Sequence, residues 1–371
     1  MSNLQQIISL MAQKAPHRDA MDWDNVGLQV GDYASEIKKI LIALDINEDV
    51  IQEAIKKETD LIITHHPLLF NGLDKVHSQT AKGRIVMQAI RNEIAIYSTH
   101  TNMDIAEKGL NDFLADKLGI RDTEIFSKEK EKKLYKLAVY VPADNVEVLK
   151  EAIFKKGAGQ IGNYSNTSFS SKGEGTFLPG ENTNPHLGKR GEIKKVEEIK
   201  VETVVPEEKI DNVIKVMLKV HPYEEVAYDV YELPLQSDYK GIGRVGYLKE
   251  SFPLKDYCEF IKDTLKIEKL KVRGNPEEKI KKVAICSGAG ADYISLASAK
   301  GADLYITGDV KYHEAQLAEE LQLNLVDAGH FETEVIFKEM IHQYLQEKIQ
   351  KDKLEVKLEL SEVNTNPWLY I

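Results

Sequence analysis

The feature that most limits what this chain can fold into is a repetition of itself. A shift of 243 positions lays Lys39-Ile40-Leu41-Ile42 on Lys282-Val283-Ala284-Ile285 without a gap. The same shift lays Asp60-Leu61-Ile62-Ile63-Thr64 on Asp303-Leu304-Tyr305-Ile306-Thr307. In both copies a stretch with helical spacing separates the two runs, so the repeated unit reads as strand, helix, strand. Short apolar strands alternating with helices are the pattern of βαβ units around a largely parallel sheet. The first copy reads as strands 39–45, 60–65 and 94–99 with helices 48–58 and 80–92, after an opening helix over 3–14 that Pro16 stops. The second reads as strands 281–287, 303–307 and 323–328 with helices 290–300, 311–321 and 331–348. The expected fold class is therefore α/β, with two pseudo-equivalent α/β halves, residues 1–128 and 236–371, forming one split domain around a shared cleft.

Residues 129–235 break this pattern. The charged run 128–133 reads as a surface linker or helix end. Beyond it come a strand over 134–142, a helix over 144–156, a Gly-, Ser- and Asn-rich stretch containing 162–178, a strand over 193–204, a helix over 207–220 and a strand over 226–233. That β-α-β-β-α-β order predicts an inserted ferredoxin-like α+β domain. The turn formers between Pro179 and Pro185 mark a mobile loop over 179–190.

Composition enters by exclusion. A chain of 371 residues, 42% hydrophobic and 29% charged, has the balance of a globular protein with an ordinary core. No apolar run approaches the roughly 20 residues of a membrane span, and the first fifteen residues lack a basic n-region. Cys258 and Cys286 sit in apolar contexts and read as buried thiols, so a cytoplasmic location is expected. The net charge of -11 opposes a phosphate backbone. The one basic stretch, around Lys189, Arg190, Lys194 and Lys195, is interleaved with Glu192, Glu197 and Glu198 and reads as a solvated face. Neither a nucleic acid nor a membrane is an expected partner.

Chemistry concentrates at the ends of the strands, where sites form in α/β sheets. Thr64-His65-His66-Pro67 closes the second strand of the first half with adjacent imidazoles. Neighbouring strand residues point to opposite faces, so both rings address one site only if the chain bends, and Pro67 favours a bend. His100-Thr101-Asn102-Met103-Asp104 follows strand 94–99, and His330-Phe331-Glu332-Thr333-Glu334 follows strand 323–328. Each is His-x-x-x-carboxylate, a spacing that sets an imidazole beside a carboxylate on one helix face. If the halves face each other, His65, His66, Asp104, His330 and Glu334 converge on one cleft. Imidazole and carboxylate without thiolate suit zinc, iron, manganese or cobalt, and five ligands are more than one open ion needs. Two divalent metal ions bridged by a carboxylate and a water would use them all. Ser287-Gly288-Ala289-Gly290-Ala291 is placed to wall such a pocket. Asp22-Trp23-Asp24-Asn25-Val26-Gly27-Leu28 reads as a packing corner, and His221-Pro222-Tyr223-Glu224-Glu225 as the stop of a helix.

These segments, with Ile306-Thr307-Gly308-Asp309, resemble the GTP cyclohydrolase I type 2 homologues, the Nif-three-like family. His221-Pro222-Tyr223-Glu224-Glu225-Val226-Ala227-Tyr228-Asp229 resembles the CutA- or PII-like insert of its long bacterial members. The resemblance covers nearly the whole chain. It implies a dinuclear site with His65, His66, Asp104, His330 and Glu334 as metal ligands, Glu334 or Asp104 bridging, and His100 free either to support a ligand from behind or to act as a catalytic proton shuttle. It also implies a homohexameric ring with the inserted domains over its openings. The activity expected is metal-dependent hydrolysis of a nucleotide-like or heterocyclic small-molecule substrate, GTP among the candidates. A metal- or ligand-sensing regulatory ring without turnover is the alternative.

Overall fold

A computed structural model describes residues 2–131, 133–234 and 239–369. Lys132 and residues 235–238, which hold part of the charged run and the expected 235/236 junction, lie outside the described residues. The chain divides into two compact units, one built from residues 1–130 and 240–371, the other from 131–239.

The first unit contains two mixed sheets. In one, the strands Lys357–Leu360, Lys39–Ala43, Leu61–Thr64 and Ala95–Ser98 run parallel, and Gly27–Val30 joins antiparallel at the edge. In the other, Asn324–Asp327, Leu304–Gly308 and Lys279–Ala289 are parallel. Lys271–Arg273 flanks them on one side, and Tyr239–Pro253 followed by Ile120–Glu131 on the other. The 243-residue shift persists in the hydrogen bonding. Ile40 pairs with Leu61, and Val283 with Leu304. Asp60 accepts the backbone N–H groups of Lys38 and Lys39, and Asp303 those of Lys281 and Lys282, with distances of 2.7–2.9 Å. Each carboxylate thereby pins the start of a strand to the loop that begins its neighbour.

Alternation along the strands splits the apolar side chains between two layers. Ile40, Ile42, Ile63 and Tyr97 face a core shared with Val283, Ile285, Leu304 and Ile306, which the helices Leu4–Lys14, Leu254–Leu265 and Phe337–Asp352 also fill. Leu41, Ala43, Ile62 and Ile96 face the helices Glu48–Lys56 and Ala81–Arg91. Ala284, Tyr305 and Leu325 face the helices Ile294–Ala299 and Tyr312–Glu320. Truncating Ile42 or Phe337, both fully buried, to alanine costs about 2–5 kcal/mol by lost transfer and cavity energy. Arg244, also buried, ties the two chain segments of this unit, donating to Asp112 at 2.6 and 2.7 Å and to the carbonyls of Ala106, Gly241 and Gly243.

Two expectations need correction. The charged run is neither linker nor helix end where it is described, because residues 128–131 finish the long strand Ile120–Glu131. The β-branched and aromatic residues Ile120, Thr123, Ile125 and Phe126 carry the extended conformation into it, with Phe126 buried. The single helix expected over 331–348 is two, His330–Glu334 and Phe337–Asp352. At Val335-Ile336 the backbone tightens to an i to i+3 bond, from Lys338 N–H to Val335 O at 3.2 Å.

The second unit runs Leu134–Pro142, helix Val146–Lys155, Phe169–Phe177, Lys194–Pro206, helix Ile210–Val220 and Tyr228–Leu233. Its strands form one antiparallel sheet, in the spatial order 228–233, 134–142, 194–206, 169–177. Both helices cover one face through Leu137, Val139, Val201, Leu149, Val213 and Met217. Tyr140, Glu198 and Lys200 alternate to the other face.

Candidate metal centre

The bend after Leu61–Thr64 is made by the backbone. The N–H groups of His65 and His66 both donate to the Leu44 carbonyl, each at 3.1 Å, and Thr64 Oγ1 donates to the His66 carbonyl at 2.8 Å. Two successive amides on one acceptor curl the chain, which brings both rings to the same side with centroids 5.0 Å apart.

Each imidazole is fixed through one nitrogen. His65 Nδ1–H donates to the Thr99 carbonyl at 2.9 Å, His66 Nδ1–H to Asp45 Oδ1 at 2.6 Å, and His330 Nδ1–H to Asp309 Oδ2 at 2.7 Å. In all three the Nε2 atom is thereby turned into the cleft. His66 Nε2 and His330 Nε2 lie 2.9 and 3.0 Å from Glu334 Oε2 and 3.4 Å from each other. His65 Nε2 lies 3.7 Å from both Asp104 Oδ1 and Glu334 Oε1. His65 is completely buried, and Asp104 and Glu334 nearly so. The sequence pairs thus behave differently. His330 and Glu334 touch, but among the described residues no hydrogen bond joins His100 to Asp104. His100 Nδ1 instead binds Asp24 Oδ1 at 3.0 Å, and its ring stands 5.1 and 5.4 Å from those of His65 and His66.

Three of the buried polar atoms without a hydrogen-bond partner are His65 Nε2 and Asp104 Oδ1, which face each other, and Glu334 Oε2, which faces His66 and His330. Burying such atoms unpaired costs about 1–3 kcal/mol each, so the cluster is built for something that satisfies them. Protons answer part of the demand. Burial opposes the charged form of His66, but the hydrogen bond to Asp45 and the negative charge of Glu334 beside its ring outweigh it and lift its pKa to about 10. Glu334 and Asp309 likewise lift His330 to about 9. Burial raises Glu334, yet the three imidazoles hold its carboxyl well below the usual range, while desolvation pushes Asp104 up. Cations answer the demand more fully. Nitrogen and oxygen donors with the remote ring nitrogens held by a carboxylate or carbonyl are the arrangement of metal-bound histidine. Among the described residues two triads have all their donor atoms within 4.8 Å of one another: His65, His66 and His100, and His66, His330 and Glu334.

Gly288 makes the carboxylate's position possible. Its φ of +63° suits glycine, and a Cβ there would fall 2.1 Å from Glu334 Oε1. Thr333 Oγ1 accepts the Gly288 N–H at 3.0 Å, and Ala289 and Ala291 line the adjoining cavity of about 950 Å³. Asp45, Asp309, Lys311 and the terminal Thr365–Leu369 segment also line it. Thr365 Oγ1 donates to Asp45 Oδ2 at 2.6 Å, which fixes the carboxylate that fixes His66.

Asp24 and Asp45 escaped the sequence reading because each is a lone acid with no partner at telling spacing, and Asp309 entered it only as the end of Ile306-Thr307-Gly308-Asp309, with no role given. Asp24 lies in the stretch read as a packing corner. His100 and Thr101 outweigh burial there and lower its pKa to about 2. A signal for Asp309 did exist, since the 243-residue shift places it on His66.

Fold and cleft together define a class, a two-sheet α/β protein whose strand ends gather imidazole and carboxylate groups suited to divalent cations. A family model described as Duf34/NIF3 (NGG1p interacting factor 3) matches residues 2–367, and the chain belongs to that family. It is 42% identical over 369 residues to the "GTP cyclohydrolase 1 type 2 homolog" of Bacillus subtilis (strain 168), covering 100% of this chain and 99% of the relative. Among solved structures it is similar to a Bacillus cereus protein related to NIF3, with a TM-score of 0.91, 42% identity and coverage of 100% and 99%. A Staphylococcus aureus protein follows at a TM-score of 0.80 and 30% identity, with coverage of 100% and 99%. Among the described residues no helix is long and apolar enough to cross a membrane.

Proposed function

We propose that this protein is a dinuclear metal-dependent hydrolase of a nucleotide-like or heterocyclic substrate. The observation that carries the reading is the set of inward-facing buried atoms without partners, His65 Nε2, Asp104 Oδ1 and Glu334 Oε2, with His66 and His330 presenting Nε2 beside them. His65, His66, Asp104, His330 and Glu334 would hold two divalent ions, both oxygens of Glu334 facing imidazole nitrogens. Bound there, the ions supply a hydroxide at neutral pH.

The chain's own residues do the rest. Asp24 holds His100 through Nδ1, which leaves Nε2 to take up and return a proton beside the cluster. The exposed indole of Trp368 lines the cavity and offers a stacking face suited to a planar base. The name of the relatives supports GTP as the first compound to try, with ring opening and loss of formate as the reaction. The sheet order of the 131–239 unit supports reading it as a PII- or CutA-like insert, with boundaries near 129 and 235. The family resemblance supports a cytoplasmic homohexamer.

The test is metal content per chain on protein purified without a tag, beside formate release from GTP. About two ions per chain, falling sharply together with turnover in His330→Ala, is the expected result. Full metal content in His330→Ala, or metal-replete protein that turns over no nucleotide, overturns the site or the activity respectively.

A further inference from the structure

We propose that the 131–239 unit carries a second ligand site, for a small organic cation such as an amine or guanidinium compound. The observation is a cavity of about 670 Å³ on the sheet face opposite the two helices, bounded by the loop 178–187. That volume is within the range of small-molecule pockets. Its walls are aromatic. The Tyr223 ring lies 6.2 Å, centroid to centroid, from both Phe177 and His186, and Tyr140 lines the cavity beside them.

The charge of the cavity selects the ligand. Glu198 Oε1 accepts the Tyr223 hydroxyl at 2.8 Å. Its Oε2 lies over Gly175, where a Cβ would fall 2.2 Å away, so the glycine makes room for a carboxylate against the sheet. The two lysines lining the cavity are engaged elsewhere, Lys172 with Glu197 at 3.5 Å and Lys200 with Glu202 at 3.3 Å. Glu174 is neutralised by Lys195 at 2.6 Å. Among the described residues no cation pairs with Glu198, Glu224 or Glu225, and Glu224 accepts only the Asn184 N–H, at 2.8 Å. Three uncompensated carboxylates among aromatic faces repel a phosphate-bearing ligand and attract a cation, which gains from the carboxylate and the ring faces together. The site is separate from the metal cluster and stands or falls independently of the hydrolase reading.

The experiment is calorimetric titration of the full-length, metal-loaded protein with agmatine, which carries an ammonium and a guanidinium, and with ATP as the anionic comparison. Saturable agmatine binding, weakened about tenfold or more in Glu198→Gln at unchanged melting temperature and metal content, is the expected result. Glu225→Gln, at an exposed position that leaves the fold alone, is expected to weaken it about threefold and serves if Glu198→Gln unfolds. The proposal is overturned by no agmatine binding at about 5 mM, a weak-affinity ceiling. Equal binding by the wild type and the variants, or ATP binding that Tyr223→Leu abolishes, overturns it as well.

Discussion

Asp45→Asn isolates the contribution of a residue that touches no proposed ion. Asp45 Oδ1 accepts from His66 Nδ1–H at 2.6 Å, and its other oxygen accepts from Thr365 Oγ1 at 2.6 Å. A carboxylate only accepts, so it forces the proton onto Nδ1 and leaves the Nε2 lone pair in the cleft. A carboxamide keeps the shape but not the instruction. With its nitrogen toward His66 the ring adopts the opposite tautomer and ceases to be a ligand. With its oxygen toward His66 the bond survives without charge, at roughly half the strength. Loss of such a supporting group typically weakens metal binding about 10–100-fold, or about 1.4–2.8 kcal/mol. His65 is the internal reference, because a main-chain carbonyl holds its Nδ1 at 2.9 Å and no side-chain change reaches it. If His65 and His66 serve different ions, competition against a chromophoric chelator should therefore show one ion bound near wild-type affinity and the other weakened by that factor. Two unchanged constants in a variant that melts normally would refute the claim that Asp45 sets the His66 tautomer. Equal weakening of both would refute the division of ligands.

Other perturbations follow from the same geometry. Gly288→Ala places a Cβ 2.1 Å from Glu334 Oε1 at a φ of +63°, so melting should report a loss of about 1–3 kcal/mol and metal binding should fail; retention of both would mean the loop yields freely. Without metal, His66 and His330 hold their protons up to pH about 10 and about 9, above the ordinary imidazole value of 6.5. Their contribution to stability is therefore complete below pH 6.5 and lost as pH rises through 9 to 10. Metal must displace the same protons, so its affinity rises over that window and binding at pH 7.5 releases about two protons per chain or more. Calorimetry in buffers of different ionisation enthalpy counts them, and release of none would contradict the charge state described. Arg244→Lys forfeits the paired bonds to Asp112 and leaves its buried surroundings short of donors, for a loss of about 3–5 kcal/mol by denaturant titration; a change under 1 kcal/mol would refute its role as a tie.

What the sequence exposed and what it hid have separate physical reasons. The central strands were legible because burial on both faces demands continuous apolar runs, and because Asp60 and Asp303 repeat a side-chain lock at one spacing. The strands Ile120–Glu131 and Tyr239–Pro253 were hidden because both mix charged residues into their length, the second glycines as well, and both lie at the flank of their sheet. In the cleft, His65, His66, His330 and Glu334 were nominated by spacing, and their inward-facing atoms lie within 3.7 Å of one another in successive pairs. The acids that aim the rings carry no such pattern. Asp45 meets its imidazole 21 residues away, as Asp309 does in the other half, and only tertiary structure shows which lone acid meets which ring.

The divergence of the two His-x-x-x-carboxylate segments decides what His100 does. His330 is the third residue past its strand Asn324–Asp327, whereas His100 is the second past Ala95–Ser98. One residue of offset is about 100° of helical phase. His100 also precedes the helix Thr101–Ile105, with φ of −114° and ψ of −107°, so its ring leaves Asp104 and reaches Asp24. It still places a nitrogen within 4.8 Å of nitrogens of His65 and His66. A ligand and a proton carrier can both stand at that distance, and they separate in a substitution. A carrier removed by His100→Ala leaves both ions in place, lowers kcat for GTP about 10²–10⁴-fold and removes one limb of the pH profile. A ligand removed there lowers metal content first, and activity returns when the metal concentration is raised. The Asp24 bond serves either role, since it fixes one tautomer and leaves Nε2 alone toward the cleft, so the substitution decides. Loss of one ion equivalent in His100→Ala would transfer the residue to the ligand set and leave the proton-transfer step without its residue.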